Sequence, residues 1–138
     1  QDLRRSLDYL GTREDIDRER LAYYGMSWGG NLGAIVPAVE GRFAASVLVA
    51  GGLMGVGRPE ASDLTYVRRV RTPTLILNGR YDTVFPVETS SRPLLDLLGT
   101  PPEHKRLMLY ETDHIPPRTE YITQTLAWLD RYLGPPRE

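Results

Sequence analysis

The chain has 138 residues, of which 41% are hydrophobic, so it is long enough to enclose one hydrophobic core. Its 17 basic and 18 acidic residues leave a net charge of -1, which argues against nucleic acid or an anionic membrane as a partner. Cysteine is absent, which excludes disulfides and thiolate metal sites, and we expect neither a metal nor a cofactor.

No apolar run approaches the roughly 20 residues that are needed to span a bilayer. No signal peptide is visible at Gln1, but the sequence there reads as the middle of a helix. We therefore expect Gln1 to mark a cut through a longer chain. The compartment stays open, with the cytoplasm favoured.

The first predicted elements are a helix, a strand and a second helix. Three leucines recur at helical spacing in the first helix: Leu3, Leu7 and Leu10. Gly11 ends this helix, and a short strand is predicted over residues 21–24, before Gly25. A second helix is predicted over residues 28–40, and Pro37 is expected to kink it or to end it early.

The rest of the chain repeats the alternation of strand and helix. Three further apolar runs have the length of buried strands: residues 43–50, 74–77 and 106–110. A helix interrupted by Pro93 is predicted over residues 87–98. A last helix is marked by a stripe of four apolar residues: Ile122, Leu126, Leu129 and Leu133.

Strands that are apolar on both faces, each followed by a helix, are typical of a parallel sheet covered on both sides. The connection over residues 53–72 is mixed, with one short helix expected around 63–69. Gly134 and the two prolines after it are expected to stop the last helix. We therefore predict a single α/β domain over residues 1–138.

One motif stands where such a sheet carries its chemistry. The pattern Gly-x-Ser-x-Gly spans residues 25–29, directly after a predicted strand and before a helix. It predicts a tight turn that exposes the Ser27 hydroxyl, with glycines because side chains there would collide with neighbouring backbone. Ser27 is the predicted nucleophile, and the backbone N–H of Trp28 is a predicted oxyanion donor. The alternative is a glycine-rich packing turn with an idle serine.

A serine nucleophile needs a base, and the chain has two histidines. His104 precedes the last strand and should lie at the opposite end of the sheet, as an exposed surface residue. His114 follows that strand, at the end where Ser27 also lies. We predict His114 as the base; the alternative is a histidine merely packed in a turn.

A serine nucleophile and its histidine base usually act with a third residue, a carboxylate that orients the imidazole. Asp82 follows the strand over residues 74–77 and completes the order Ser, Asp, His that is typical of this kind of sheet. Asp113 is a poorer candidate, because adjacent residues on an extended segment point apart. Glu111 is a third candidate, less favoured because it lies in or beside the last strand.

Two segments carry a family resemblance. Residues 17–30 resemble the nucleophile region of α/β-hydrolases of the dienelactone hydrolase, acetyl xylan esterase and prolyl-oligopeptidase-like groups, and residues 73–82 resemble their acid-bearing strand and loop. Asp113-His114 stands where these groups usually have Gly-His. The whole chain is also similar to the dienelactone-hydrolase-like domains appended to some bacterial serine/threonine protein kinases.

The resemblance covers only the carboxyl-terminal half of that fold. It implies that four strands, and the loop that supplies the second oxyanion donor, precede residue 1. The fragment alone is therefore expected to be weakly active or inactive. The strand over residues 21–24 would lose a neighbour, and the exposed edge should pair with a second copy or with the absent half.

The predicted reaction is hydrolysis of an ester through an acyl-enzyme, with Ser27, His114 and Asp82 in the roles given above. The connection over residues 53–72 is short where many relatives carry a lid, which favours small soluble esters. Trp28 either lines the acyl site or packs into the sheet, and we expect packing. Two alternatives are a peptidase of the prolyl-oligopeptidase kind and an inactive binding or sensory domain of a larger protein such as a kinase.

Overall fold

The computed structural model describes residues 2–135. Gln1 and Pro136, which entered the expectations for the two ends of the chain, lie outside the described residues. The strands form one parallel sheet in which neighbours in sequence are neighbours in space. They are β1 (Ala22–Met26), β2 (Ala45–Val49), β3 (Thr74–Gly79) and β4 (Lys105–Tyr110). The predicted α/β class and parallel sheet are confirmed.

Six α-helices are described: α1 (Asp2–Leu10), α2 (Trp28–Leu32), α3 (Val36–Val39), α4 (Asp63–Tyr66), α5 (Arg92–Leu97) and α6 (Arg118–Leu133). A π-helical turn, Val87–Ser91, leads directly into α5. Short 3-10 turns cover Pro59–Ala61, Val67–Arg69 and Pro102–His104. Among residues 2–135, no helix has both the length and the apolar character needed to cross a bilayer.

The single helix predicted over residues 28–40 is wrong. The chain forms two short helices instead, with a turn over residues 33–35 between α2 and α3. Pro37 is the second residue of α3, where its missing N–H costs no helical hydrogen bond. The break therefore falls before the proline and not at or after it.

Several predicted strand ends also shift. β1 continues through Gly25 and Met26, because these residues pair with Leu48 and Val49 of β2. β3 likewise extends to Gly79, opposite Tyr110 of β4. β2 is shorter than predicted and covers only Ala45–Val49.

The core lies on both faces of the sheet, because successive strand residues point to opposite sides. Leu48 and Ile76 face one side, where they pack with buried residues that include Val67 and Leu94. Val47, Val49, Leu75 and Leu77 face the other, where α6 contributes Trp128. Both central strands, β2 and β3, are fully buried. This double cover leaves the carboxyl ends of the strands as the open side of the sheet.

Candidate active site

Ser27 occupies the turn between β1 and α2 in a strained conformation. Its φ of 54° and ψ of -109° lie in a region that residues with a side chain rarely adopt. Its backbone N–H donates to the Val49 carbonyl at 2.8 Å, and its carbonyl accepts from the Asn31 N–H at 3.0 Å. The main chain is therefore held on both sides of the turn, and the hydroxyl is left for other contacts.

Glycine is required next to this turn, but not at both positions of the motif. A Cβ at Gly25 would collide with the Gly29 carbonyl, as expected. At Gly29 an added Cβ would meet only the Tyr23 hydroxyl, at 4.0 Å, so the expected crowding is absent there. The second tight contact falls one residue later, where a Cβ at Gly30 would lie 2.8 Å from the Cα of Gly51.

The structure brings the three predicted residues together in one hydrogen-bonded chain. Ser27 Oγ lies 2.8 Å from His114 Nε2, and His114 Nδ1 lies 2.9 Å from Asp82 Oδ2. The Asp82 side chain is fully buried, whereas His114 is about one-quarter exposed. Phe85, itself buried, stacks near the imidazole with ring centroids 6.1 Å apart.

Asp82 is oriented by its own loop. Its Oδ1 accepts hydrogen bonds from the backbone N–H groups of Val84 and Phe85, at 2.8 and 2.9 Å. Oδ2 is thereby left for His114. This division of the two oxygens is what an acid needs in order to fix the direction of an imidazole.

The two alternative acids are occupied elsewhere or exposed. Asp113 is exposed to solvent. Glu111 accepts hydrogen bonds from the Tyr81 hydroxyl and the Arg80 guanidinium, and these contacts lower the pKa of its carboxyl. Asp82 is therefore the carboxylate that the fold presents to His114.

Two expectations about other residues are wrong. The Trp28 side chain is 64% exposed, so it does not pack into the sheet, because the turn after β1 directs it away from both core clusters. His104 is not a free surface histidine: its Nδ1 lies 2.9 Å from the Tyr132 hydroxyl, and it is half-buried against that ring. His104 does directly precede β4, at the end of the sheet away from Ser27.

Tyr23 of β1 contacts the segment that follows Ser27. Its hydroxyl donates to the Gly29 carbonyl at 2.6 Å, and burial raises the pKa of the phenol. The sequence offered no signal for this contact, since a tyrosine in a strand is ordinary. Gly79 is a second supporting residue that sequence reasoning did not single out: a Cβ there would collide with the Asp113 carbonyl.

Chemically, this arrangement links a hydroxyl, an imidazole and a buried carboxylate in line. Such a chain can move a proton from the hydroxyl to the imidazole while the carboxylate stabilises the resulting cation. Trp28 is the first residue of α2, so its N–H has no carbonyl partner within that helix. The catalytic roles of Ser27, Asp82 and His114, and the oxyanion role of Trp28, stay predictions.

Comparisons with known proteins show that the chain is similar to ester hydrolases. The sequence profile of the family described as PETase, PET hydrolase-like, matches residues 5–136. A bis(hydroxyethyl) terephthalate hydrolase of Streptomyces coelicolor (strain ATCC BAA-471 / A3(2) / M145) is 28% identical over 137 residues, and the match covers 93% of this chain and 41% of that protein.

Two solved structures are similar in fold. A cold-adapted esterase from an Arctic intertidal metagenomic library superposes with a TM-score of 0.77 at 27% identity, covering 96% of this chain and 57% of that one. An acetyl xylan esterase from Paenibacillus sp. R4 has a TM-score of 0.78 at 21% identity, covering 96% and 51%, and shows likeness of fold alone. The chain thus spans about half the length of the relatives that it matches.

A parallel sheet covered on both faces, with a strained serine turn after β1, has the architecture of the α/β-hydrolases, and the solved relatives share it. The expected resemblance to the α/β-hydrolases is confirmed, and the fold is shared by the acetyl xylan esterase and by a putative dienelactone hydrolase from Klebsiella pneumoniae. More narrowly, the chain belongs to the PET hydrolase-like family.

Proposed function

We propose that this chain is the carboxyl-terminal part of a serine carboxylesterase that hydrolyses small soluble esters through an acyl-enzyme. The observation that supports this proposal is the hydrogen-bonded chain from Ser27 through His114 to Asp82. The names of the relatives support ester hydrolysis in particular: one is a bis(hydroxyethyl) terephthalate hydrolase and another is an esterase.

The reaction has two half-steps. His114 Nε2 takes the proton of Ser27 as Oγ attacks the ester carbonyl, and the same proton is then given to the departing alcohol. Water attacks the resulting acyl-enzyme with His114 again as base, which frees the acid and restores Ser27. Asp82 stays ionised throughout and stabilises the imidazolium through Nδ1.

The negative charge that develops on the carbonyl oxygen needs donors. In this proposal the Trp28 N–H is one of them, and the second lies in the part of the protein that precedes this chain. Loss of one oxyanion donor typically costs roughly 3–4 kcal/mol of transition-state stabilisation. We therefore expect the 138-residue chain alone to be a weak catalyst.

The size of the substrate follows from the connection between β2 and β3. It contains only the turn Pro59–Ala61, the four-residue helix α4 and the turn Val67–Arg69. A connection of this length does not form a large lid over the site, which favours small soluble esters over lipid aggregates.

Hydrolysis of matched chromogenic substrates by the full-length protein tests the proposal. We expect release of p-nitrophenol from p-nitrophenyl acetate, little release of p-nitroaniline from the corresponding anilide, and loss of turnover in Ser27→Ala. Faster cleavage of a peptidyl p-nitroanilide would identify a peptidase instead. Absence of turnover on both substrates, in a folded protein, would favour an inactive binding domain.

A further inference from the structure

The loop that follows β2, residues 50–57, is held mainly by buried polar side chains. Its own apolar anchorage is limited to its first part, because residues 54–57 are exposed and Leu53 is the last buried side chain. Five buried polar residues from elsewhere in the chain form side-chain hydrogen bonds with its backbone: Asn31, Asp63, Asn78, Ser90 and Ser91.

The first part of the loop is hydrogen-bonded to a side chain of β3. Asn78 donates to the Gly51 carbonyl at 2.8 Å and accepts from the Gly51 N–H at 3.1 Å, so the side-chain amide continues the strand pairing beyond β2. Gly51 in turn packs against Gly30 of α2. The loop is therefore in direct backbone contact with the helix that follows Ser27.

Helix α2 is also hydrogen-bonded to Gly52, the next residue of the loop. Asn31 of α2 donates through Nδ2 to the Gly52 carbonyl at 2.8 Å and to Asp63 Oδ2 at 2.7 Å. Asn31 is itself buried, and its backbone N–H is bonded to the Ser27 carbonyl. Asn31 thus connects the serine turn, through its backbone, to the loop after β2 and a buried carboxylate, through its side chain.

Asp63 is the centre of this arrangement. It is only 4% exposed, and its two oxygens accept from Asn31 Nδ2 and from the backbone N–H groups of Met54, Gly55 and Leu64, at 2.6 to 3.1 Å. Among residues 2–135 no Lys, Arg or His forms an ion pair with it. A carboxylate taken out of water is costly unless donors surround it, and here the loop supplies two of the four.

The loop that Asp63 orders carries exposed apolar side chains at the same edge of the sheet as the candidate site. Met54 and Val56 are 42% and 61% exposed. They follow β2, whose carboxyl end lies between those of β1, which precedes Ser27, and β3, which precedes Asp82. Exposed apolar residues on a backbone fixed by charge-assisted hydrogen bonds form a preorganised wall rather than a mobile flap.

We propose that Asp63, acting through Asn31 and the backbone of residues 52–55, is a positioning residue that fixes this loop as one wall of the ester-binding site. The inference rests on the esterase function proposed above. It assigns Asp63 to ground-state binding of the substrate and not to the reactivity of Ser27.

The test compares Asp63→Asn with the parent in the full-length protein. The amide NH2 would face donors that the carboxylate now accepts from, and the loop would loosen. We expect KM for p-nitrophenyl butyrate to rise about tenfold, the effect of losing one charge-assisted hydrogen bond. The kcat and the limiting rate of Ser27 labelling by a fluorophosphonate should stay within about twofold. An unchanged KM, or a fall in kcat with KM unchanged, would overturn the proposal.

Thr100→Val is the matched control. Thr100 is also buried, and its hydroxyl donates to the Thr72 carbonyl at 2.9 Å, before the amino end of β3 and away from the loop. The Thr100→Val variant should lower the free energy of unfolding without changing KM. If the parent neither turns over esters nor labels at Ser27, the esterase proposal fails, and that result is distinct from any effect of Asp63.

If Asp63→Asn does not fold, a second variant tests whether Asp63 positions the loop through Asn31. Asn31→Asp places two carboxyl groups at hydrogen-bond distance, where one shared proton can replace the amide N–H. The ratio of its KM to that of the parent should rise with pH as the shared proton is lost. A ratio that is flat with pH overturns the proposal. So does failure of both variants to fold while Thr100→Val folds, since Asp63 would then serve the fold alone.

Discussion

Ser27 Oγ and His114 Nε2 lie 2.8 Å apart although 87 positions separate them in the chain. They follow β1 and β4, the two outermost strands of the described sheet, so the loop after β4 must cross the ends of β2 and β3. Gly79, the last residue of β3, lies directly beneath the Asp113 carbonyl of that loop. The contact between Ser27 and His114 therefore depends on β3 having a glycine, with no side chain, at position 79.

Gly79→Ala is expected to disrupt the site without unfolding the protein. Its Cβ would collide with the Asp113 carbonyl and displace His114 from Ser27. A displacement of about 1 Å typically costs on the order of a hundredfold in rate, and we expect a loss of that size in kcat. Gly41→Ala is the control, because nothing lies within 4 Å of an added Cβ there. Equal kcat values for the two variants, measured on p-nitrophenyl acetate, would contradict this account of the loop.

Asp82→Asn should lower kcat by about ten-thousandfold, the effect of losing the carboxylate that orients and stabilises the imidazole. Asp113→Asn, which changes an exposed neighbour of His114, should leave kcat nearly unchanged. Steady-state kinetics of both variants on one ester provide the comparison. A large loss in Asp113→Asn together with a small one in Asp82→Asn would reverse the assignment.

The free edge of β1 should make the 138-residue chain associate. Within residues 2–135, β1 pairs with β2 alone, and Tyr24 at its middle is exposed. We propose that this edge pairs with the preceding part of the full-length protein and, when that part is absent, with a second copy. Sedimentation velocity should show dimers or larger species, reduced by Tyr24→Lys, which places a charge on the edge. A folded monomer at all concentrations would exclude this.

Glu40 should make stability depend on pH. The Arg42 guanidinium bonds both carboxylate oxygens, at 2.7 and 2.6 Å, and lowers the pKa of Glu40. Because the folded state favours the ionised carboxylate, its contribution is present at neutral pH and is lost as pH falls below the ordinary glutamate range, about 4.3.

Glu40→Gln should therefore lower Tm at pH 7 more than at pH 3. Glu88→Gln, which changes the exposed surface pair of Glu88 with Arg92, should alter Tm little at either pH. Thermal unfolding followed by circular dichroism measures both. A Tm loss for Glu40→Gln that is equal at the two pH values would show that the ion pair is not its cause.

The three central site residues could be predicted because each follows an apolar strand, and parallel strands bring their carboxyl ends to one edge. The supporting residues could not. Asn31 and Asp63 are 32 positions apart and meet only through the folded backbone, with no local pattern to mark them. Gly25 looked like the end of a strand because of its low strand propensity. It lies inside β1 because it pairs with Leu48 of β2, and it is glycine because a Cβ there would collide with the Gly29 carbonyl.

Trp28 shows the limit of arguing from residue type. A large aromatic residue beside an apolar strand is usually buried, and packing was the expectation. In the structure it is the first residue of α2, after a turn whose conformation is set by Ser27, and it faces outward. Local backbone geometry decided its position, and hydrophobicity did not.

Covalent labelling of the full-length protein with a fluorophosphonate, followed by peptide mass spectrometry, tests whether Ser27 is the nucleophile. We predict one adduct, on Ser27, that disappears in Ser27→Ala and forms far more slowly in His114→Asn. Ser90→Ala, which changes a buried serine bonded to the Leu53 carbonyl, should keep the adduct. An adduct on another residue, or no adduct on a folded protein, would contradict the assignment of Ser27 as the nucleophile.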